Sequence, residues 1–357
     1  MFLRKLTLLA AVAACACSPA LAAPKGATPA AFTPDRAYSG ATPWTAAPEN
    51  NGGPLRFAVV GDRTGLARPG VFEQAMKQIG WLQPDFIIDV GDMIEGYTED
   101  RAELTAMWDQ VEGFARGSGR PFIFVPGNHD LGNGVMLDVW RQRHGAEYYA
   151  FAYKGALFIA LDSEDPPTPM SPAMAAQFHG TVAGMAKDPD GVAKMIDAFY
   201  AEAEAREKAG KPASDDPAAV KAKAEADALN VANFSDKQIA FVRDTLAAHK
   251  DARQVFVFMH KPAWKVKSTN WGRIEALLKD KPYTVFAGHN HYFTHEVRDG
   301  RDYIDMGTTG GIGHKQGPGV MDHTMFVTVT PQGPSYANIR LNGLMDLDGQ
   351  TGQTRAR

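Results

Sequence analysis

Five short apolar runs in this chain each end in a polar cluster built from residues that can bind metal. Leu55–Val60 ends in Gly61-Asp62, Asp85–Val90 in Gly91-Asp92, and Phe122–Val125 in Pro126-Gly127-Asn128-His129-Asp130. Val255–Phe258 leads to Met259-His260-Lys261-Pro262, and Tyr283–Phe286 to Gly288-His289-Asn290-His291. Apolar runs this short, bounded by glycine and polar residues, read as buried strands. Helical stretches are predicted from about Gly70 to Leu82, Glu99 to Arg116, Ser235 to His249 and Trp271 to Lys279; Ser235 with Gln238 three residues on is a capping-box signal. Strands alternating with helices predict an α/β fold with a largely parallel sheet. Ligands in such sheets bind beyond the carboxyl ends of the strands, where all five clusters sit.

The flanking segments have a different character. Arg4 and Lys5 precede an uncharged run, Leu6–Cys17, and Ala20-Leu21-Ala22 follows, the parts of a signal peptide over residues 1–22. The alternative processing route is a lipobox, Val12-Ala13-Ala14-Cys15, which would place a lipid anchor at Cys15. An exported protein, periplasmic or extracellular, is expected either way. Cys15 and Cys17 are the two cysteines, so cleavage after Ala22 leaves no thiol for a disulfide or a thiolate metal site. Residues 23–54, rich in Ala, Pro, Gly and Thr without a period, are expected to be a flexible leader. One domain is then expected over 55–345, and 346–357 form a tail.

Within that domain a hairpin is expected over Tyr148–Asp162. From about Pro166 to Asn233 the chain is rich in Ala, Lys, Glu and Asp and reads as inserted helices, either a lid or a solvated excursion. Asp299-Gly300 is a hairpin turn signal, and Thr324–Thr330 with Tyr336–Leu341 read as a last strand pair. No stretch after the leader is apolar enough to span a membrane. Removing Arg4 and Lys5 with the leader takes the formal charge from −4 to −6, which argues against nucleic acid or anionic membranes as partners. The glycine-dense segment Gly307–Gly313 lacks the Lys-Ser/Thr of a phosphate loop, and His-Glu-x-x-His is absent.

Each cluster alone has a simpler explanation. Gly-Asp after a strand is often a turn, Asn-His-Asp a turn or helix cap, and a lone His260 a structural histidine. His289 and His291 project from the same side of an extended chain, so the pair says more than either member. Five such clusters in one order, each ending an apolar run, point jointly to metal. Carboxylates suit bridging two ions, and imidazoles suit Zn, Fe, Mn or Ni.

At these residues the chain resembles the calcineurin-like metallophosphoesterase superfamily, whose pattern is Asp-x-His, Gly-Asp, Gly-Asn-His-Asp/Glu, a lone His and Gly-His-x-His. The resemblance covers about Leu55 to His291. It implies a four-layer αββα sandwich, with the helical segment inserted, and two divalent or trivalent metal ions at one edge. It implies that Asp62 and His291 hold the first ion, that Asp92 bridges, and that Asn128, His260 and His289 hold the second. It further implies a hydroxide nucleophile between the ions and His129, oriented by Asp130, as proton donor to the leaving oxygen of a phosphomonoester or phosphodiester. The substrate, small molecule or protein, is left open.

One position departs from the pattern. The first-motif histidine is Thr64, so the first metal site is expected to be weaker or completed by another group, with Glu95 the candidate. Purple acid phosphatases also lack that histidine, but use a tyrosine where this chain has Glu95. Thr64 is also the feature that favours the alternative, a degenerate phosphoesterase that binds a phosphorylated ligand. Arg63 is expected either to pair with phosphate or to form a surface salt bridge. Trp264 and Trp271 are expected to form a wall of the site or part of the core.

Overall fold

The structure, a computed structural model, describes residues 31–211 and 216–347. The signal segment 1–22 with Cys15, and most of the 346–357 tail, lie outside the described residues. Two sheets form the centre. One has the order Gly333–Arg340, His323–Thr330, Leu55–Val60, Phe86–Asp89, Phe122–Ile123, the last three parallel. The other runs Thr33–Pro34, Tyr149–Tyr153, Ala156–Ala160, Gln254–Phe258, Tyr283–Ala287, Arg301–Asp305, Thr294–Arg298, with a parallel middle and antiparallel edges. The sheets are therefore mixed rather than largely parallel, because the expected hairpins at Tyr148–Asp162 and Asp299-Gly300 add antiparallel strands to the edges.

Alternation along each strand explains the layering. Phe57 and Val59 point inward, where Phe57 meets Phe158 and Phe256 of the other sheet at ring distances of 5.3 and 4.9 Å. Ala58 and Val60 point outward onto the helices Val71–Leu82 and Arg101–Gly117. On the far side Val255, Val257 and Val285 pack beneath the helices Asp236–Ala248 and Trp271–Leu278. Both faces of both sheets are thus apolar, which is why the runs read as continuous rather than alternating. The architecture is a four-layer αββα sandwich. Trp271 is buried in the outer core, and Trp264, partly buried, packs against Tyr303 of the same cluster, so both contribute to the core.

The described part of the expected flexible leader, residues 31–54, is instead docked. Thr33–Pro34 pairs antiparallel with Tyr149–Tyr153. Thr45 donates to the Phe122 carbonyl at 2.8 Å, and Phe124 to that of Pro43 at 2.8 Å. Phe32 and Trp44 pack on the inner core. The segment covers one open edge of each sheet, satisfying backbone groups that would otherwise face solvent. Its lack of period concealed this, because it crosses two edges with one or two residues at each; the aromatic residues Phe32, Tyr38 and Trp44 were the available signal.

The inserted segment is helical over Pro172–Met185, Pro189–Lys208 and Pro217–Leu229. Phe178, Val182, Val192, Ala193 and Ile196 pack around Leu66, Met185 and Ile312. Met195 and Phe199, which share helical spacing, face solvent.

Candidate metal centre

The five clusters converge at one edge of the sandwich, where strand ends of both sheets meet. Each turn is tight. A Cβ on Gly127 would lie 2.2 Å from Asp92 Oδ1, and one on Gly288 would lie 2.1 Å from Asp62 Oδ1, so only glycine lets the neighbouring loops carry these carboxylates. The side chains fall into two groups that share Asp92. They are Asp92 with His260 and His289, and Asp62 with Asp92 and His291, each with candidate ligand atoms within 4.8 Å of one another. Asp62, Asp92, His260 and His291 are almost wholly buried.

The hydrogen bonds set which nitrogen of each imidazole faces the centre. His260 Nδ1 donates to the Val90 carbonyl at 2.9 Å, leaving Nε2 at 3.1 Å from Asp92 Oδ2 and 3.0 Å from Asn128 Oδ1. His289 Nε2 donates to Asn230 Oδ1 at 2.8 Å, leaving Nδ1 at 3.2 Å from His260 Nε2. His291 Nδ1 donates to the Ile312 carbonyl, leaving Nε2 at 3.0 Å from Asp62 Oδ2. A carbonyl can only accept, so these bonds place the ring protons on the outer nitrogens and turn lone pairs inward. Asp62 Oδ1 is buried without a hydrogen-bond partner.

Lone pairs crowded in this way repel unless a cation sits among them. The buried carboxylates call for the same positive charge. Burial alone would lower His260, yet the Asp92 carboxylate raises it to about 10. Against the burial penalty, His260 and His129 hold Asp92 well below the usual carboxylate range. Burial lowers His291, and Asp62 more than reverses this. His289 is pushed down by burial and then by His260. The donor set of carboxylate, imidazole and amide oxygen suits a transition metal, and Asp92 belongs to both candidate groups.

Three expectations are corrected. Asp130 does not orient the His129 ring. Its Oδ2 accepts from the backbone amides of Asp92 at 2.8 Å and Gly127 at 2.9 Å, and its Oδ1 from Met93 at 3.1 Å and Ile94 at 3.3 Å. It ties the two central loops together. Burial, then the Asp92 charge, pushes Asp130 up to about 7 despite these amides. The His129 ring is held instead by Nδ1 donating to the Glu95 carbonyl at 2.8 Å, with Nε2 3.9 Å from Asp92 Oδ2. Glu95 is not in either ligand group; its carboxylate accepts from the amides of Ala67 at 2.7 Å and Leu66 at 3.2 Å. Arg63 points away from the centre, donating to the Met93 carbonyl and Gln110 and lying over the Phe114 ring. Thr64 is buried and its hydroxyl has no partner.

Sequence reasoning missed four residues of the site. Tyr97 accepts from Asn128 Nδ2 at 2.7 Å, fixing Oδ1 toward His260, and its ring lies 4.8 Å from that of His129. Phe178, from the insertion, has its ring 5.2 Å from that of His129 and 5.9 Å from that of Tyr97, so the three rings form one cluster. His314 stacks on His291 at 3.9 Å. Asn230 is the fourth. Tyr97 follows Asp92 by five residues on the same loop, a proximity that could have flagged it; the others come from remote segments.

Residues 55–168 match the model of the calcineurin-like phosphoesterase family. The matched segment contains Asp62, Asp92 and the Asn128–Asp130 cluster, while His260, His289 and His291 come from beyond it. The chain is similar to the serine/threonine-protein phosphatase CPPED1 of Rattus norvegicus, 33% identical over 99 residues, or 26% of this chain and 31% of that protein. The match thus spans about a third of that relative's length. Among solved structures, a dimetal phosphatase from Danio rerio aligns at 13% identity and a TM-score of 0.46, covering 81% of this chain and 99% of that one. The GAP50 anchor of the Plasmodium inner membrane complex aligns at 13% identity and a TM-score of 0.49, covering 82% and 86%.

Proposed function

We propose that the protein is a metal-dependent hydrolase of phosphate esters. The observation that carries this reading is the inward convergence of three imidazole nitrogens and two carboxylates, each imidazole with its outer nitrogen already committed to an acceptor. Asp62 and His291 would hold one ion, Asn128, His260 and His289 the other, with Asp92 shared. Bound there, Mn, Fe, Zn or Ni ions would neutralise the phosphate and make water a nucleophile at neutral pH. The family match and the phosphatase relatives support the same reaction class. Export, read from residues 1–22, belongs to this proposal.

The protein's own groups would divide the remaining work. Water oxygen bonds to phosphorus as the ester P–O bond breaks, and the leaving oxygen takes a proton. His129 is placed to supply it in its imidazolium form, because the Glu95 carbonyl holds Nδ1–H and leaves Nε2–H as the proton that faces the centre. Tyr97 and Phe178 pack with this ring and would exclude water from one side of the leaving group. The reading extends to small-molecule or protein phosphate esters.

The test is hydrolysis of p-nitrophenyl phosphate and an alkyl phosphate by the chelated and metal-restored protein. Activity should vanish on chelation and return with metal. His129→Ala should keep its metal and lose more activity on the alkyl ester, whose leaving group needs the proton more. Full activity after complete metal removal would refute the metal role, and equal losses on both esters would refute the proton-donor role.

A further inference from the structure

One of the last residues of the inserted segment touches a candidate ligand. Asn230 lies one residue beyond the helix Pro217–Leu229, and its Oδ1 is 2.8 Å from His289 Nε2. It is 59 residues from His289 in sequence. We propose that Asn230 is a positioning residue for the second metal group, holding the Nε2–H of His289 so that Nδ1 faces Asp92 and His260. This rests on the metal-centre reading above.

Three features support the assignment. The first is need. His260 and His291 have their outer nitrogens held by the backbone carbonyls of Val90 and Ile312. Among the described residues Asn230 supplies the corresponding hydrogen bond for His289. An imidazole whose far nitrogen has no acceptor can take the other tautomer, which puts a proton where the metal belongs.

The second is rigidity. Asn230 is not carried by the exposed helices but by the root of the insertion. Val231–Ala232 pairs with Lys267–Ser268, and Thr269 donates to the Ala232 carbonyl at 2.9 Å. Asn233 donates to the Ser163 carbonyl at 2.8 Å, joining the two ends of the insertion. The buried Lys261 Nζ reaches Glu164 at 2.7 Å and the Val231 carbonyl at 3.2 Å. Lys261 directly follows His260. The residue after one ligand therefore anchors the backbone beside Asn230, which in turn holds another. By contrast, the helix Pro189–Lys208 has no buried residue.

The third is chemistry. The Asn230 amide oxygen is neutral, so it sets the tautomer without adding a buried charge. A carboxylate in its place would accept the same bond and make the imidazole a stronger ligand.

Metal binding by the chelated full-length protein, measured by calorimetric titration with Zn²⁺ or Mn²⁺ and by elemental analysis, tests the role without reference to turnover. Asn230→Leu keeps the side-chain size and removes the acceptor. It should weaken one of the two equivalents roughly 10–100-fold and leave the other unchanged. Asn230→Asp should restore the weakened equivalent, which separates loss of the acceptor from a general disturbance of the fold. Wild-type affinity for both equivalents in Asn230→Leu would overturn the proposal, as would an Asn230→Asp protein as weak as Asn230→Leu. A wild-type protein that takes up no metal would instead overturn the metal-centre reading on which it rests.

Discussion

Asp130→Asn separates a loop anchor from a group that orients the His129 ring. The substitution is nearly isosteric, but it replaces one oxygen by an NH₂ that cannot accept. Two of the four amide bonds at this carboxylate are then lost, either those from Asp92 and Gly127 or those from Met93 and Ile94. Hydrogen bonds to a charged group contribute roughly 1.5–3 kcal/mol each, so the loss should be about 3–6 kcal/mol at pH 8, where the carboxylate is ionised. That is a large fraction of the roughly 5–15 kcal/mol that holds a typical domain together. In urea, with a slope of roughly 3 kcal/mol per molar for a domain of this size, the midpoint should fall by about 1–2 M. His129 should keep its orientation, because its ring is held by the Glu95 carbonyl. Unfolding followed by circular dichroism measures the first effect. An Asp130→Asn protein with an unshifted urea midpoint and a turnover as low as His129→Ala would refute this reasoning and return Asp130 to the orienting role.

Asp92→Asn should lose most of both bound metals, because Asp92 is shared by the two ligand groups; two equivalents retained on elemental analysis would contradict the shared assignment. Glu95→Gln should leave both metal affinities intact while making the loop near Leu66 and Ala67 more sensitive to limited proteolysis, and loss of a metal would reinstate Glu95 as a ligand. His144, packed among Trp108, Phe124 and Trp140, is lowered by burial to about 3. Its neutral form is favoured in the folded state, so its contribution to stability is complete above the unfolded value near 6.5 and is lost as pH falls toward about 3, by up to roughly 1.4 kcal/mol per pH unit. His144→Phe should flatten the acid limb of a stability–pH curve over that window; an unchanged slope would show that this imidazole is not what titrates. Replacing Pro172–Leu229 by a short linker that retains Asn230 should preserve metal binding in a folded protein and speed hydrolysis of bulky esters, and slower hydrolysis of every ester would show that Phe178 and its neighbours bind substrate rather than restrict it.

The sequence alone determined the strand ends and the ligand types. Apolar runs such as Leu55–Val60 must be buried, and a buried strand must present its first polar residues at its end, so Asp62, Asp92, Asn128, His260, His289 and His291 were legible as one constellation. The layered fold followed from the same runs, since strands apolar on both faces require cover on both. What the sequence left undecided were the partners of those residues, because hydrogen bonds across loops have no periodicity. The family resemblance implied that Asp130 orients His129, but the turn aims the Asp130 carboxylate at four backbone amides and leaves the ring to the Glu95 carbonyl. A backbone carbonyl has no residue type to read. Spacing suggested Glu95 as a ligand, but two amides claim it. Residues 31–54 showed no pattern because their pairing partners, Tyr149–Tyr153 and Phe122–Ile123, lie on the edges of two different sheets. Asn230 and His314 reach the site from segments remote in the chain, and only the packing of the insertion root and of the Gly307–Gly313 loop against the strand ends brings them there.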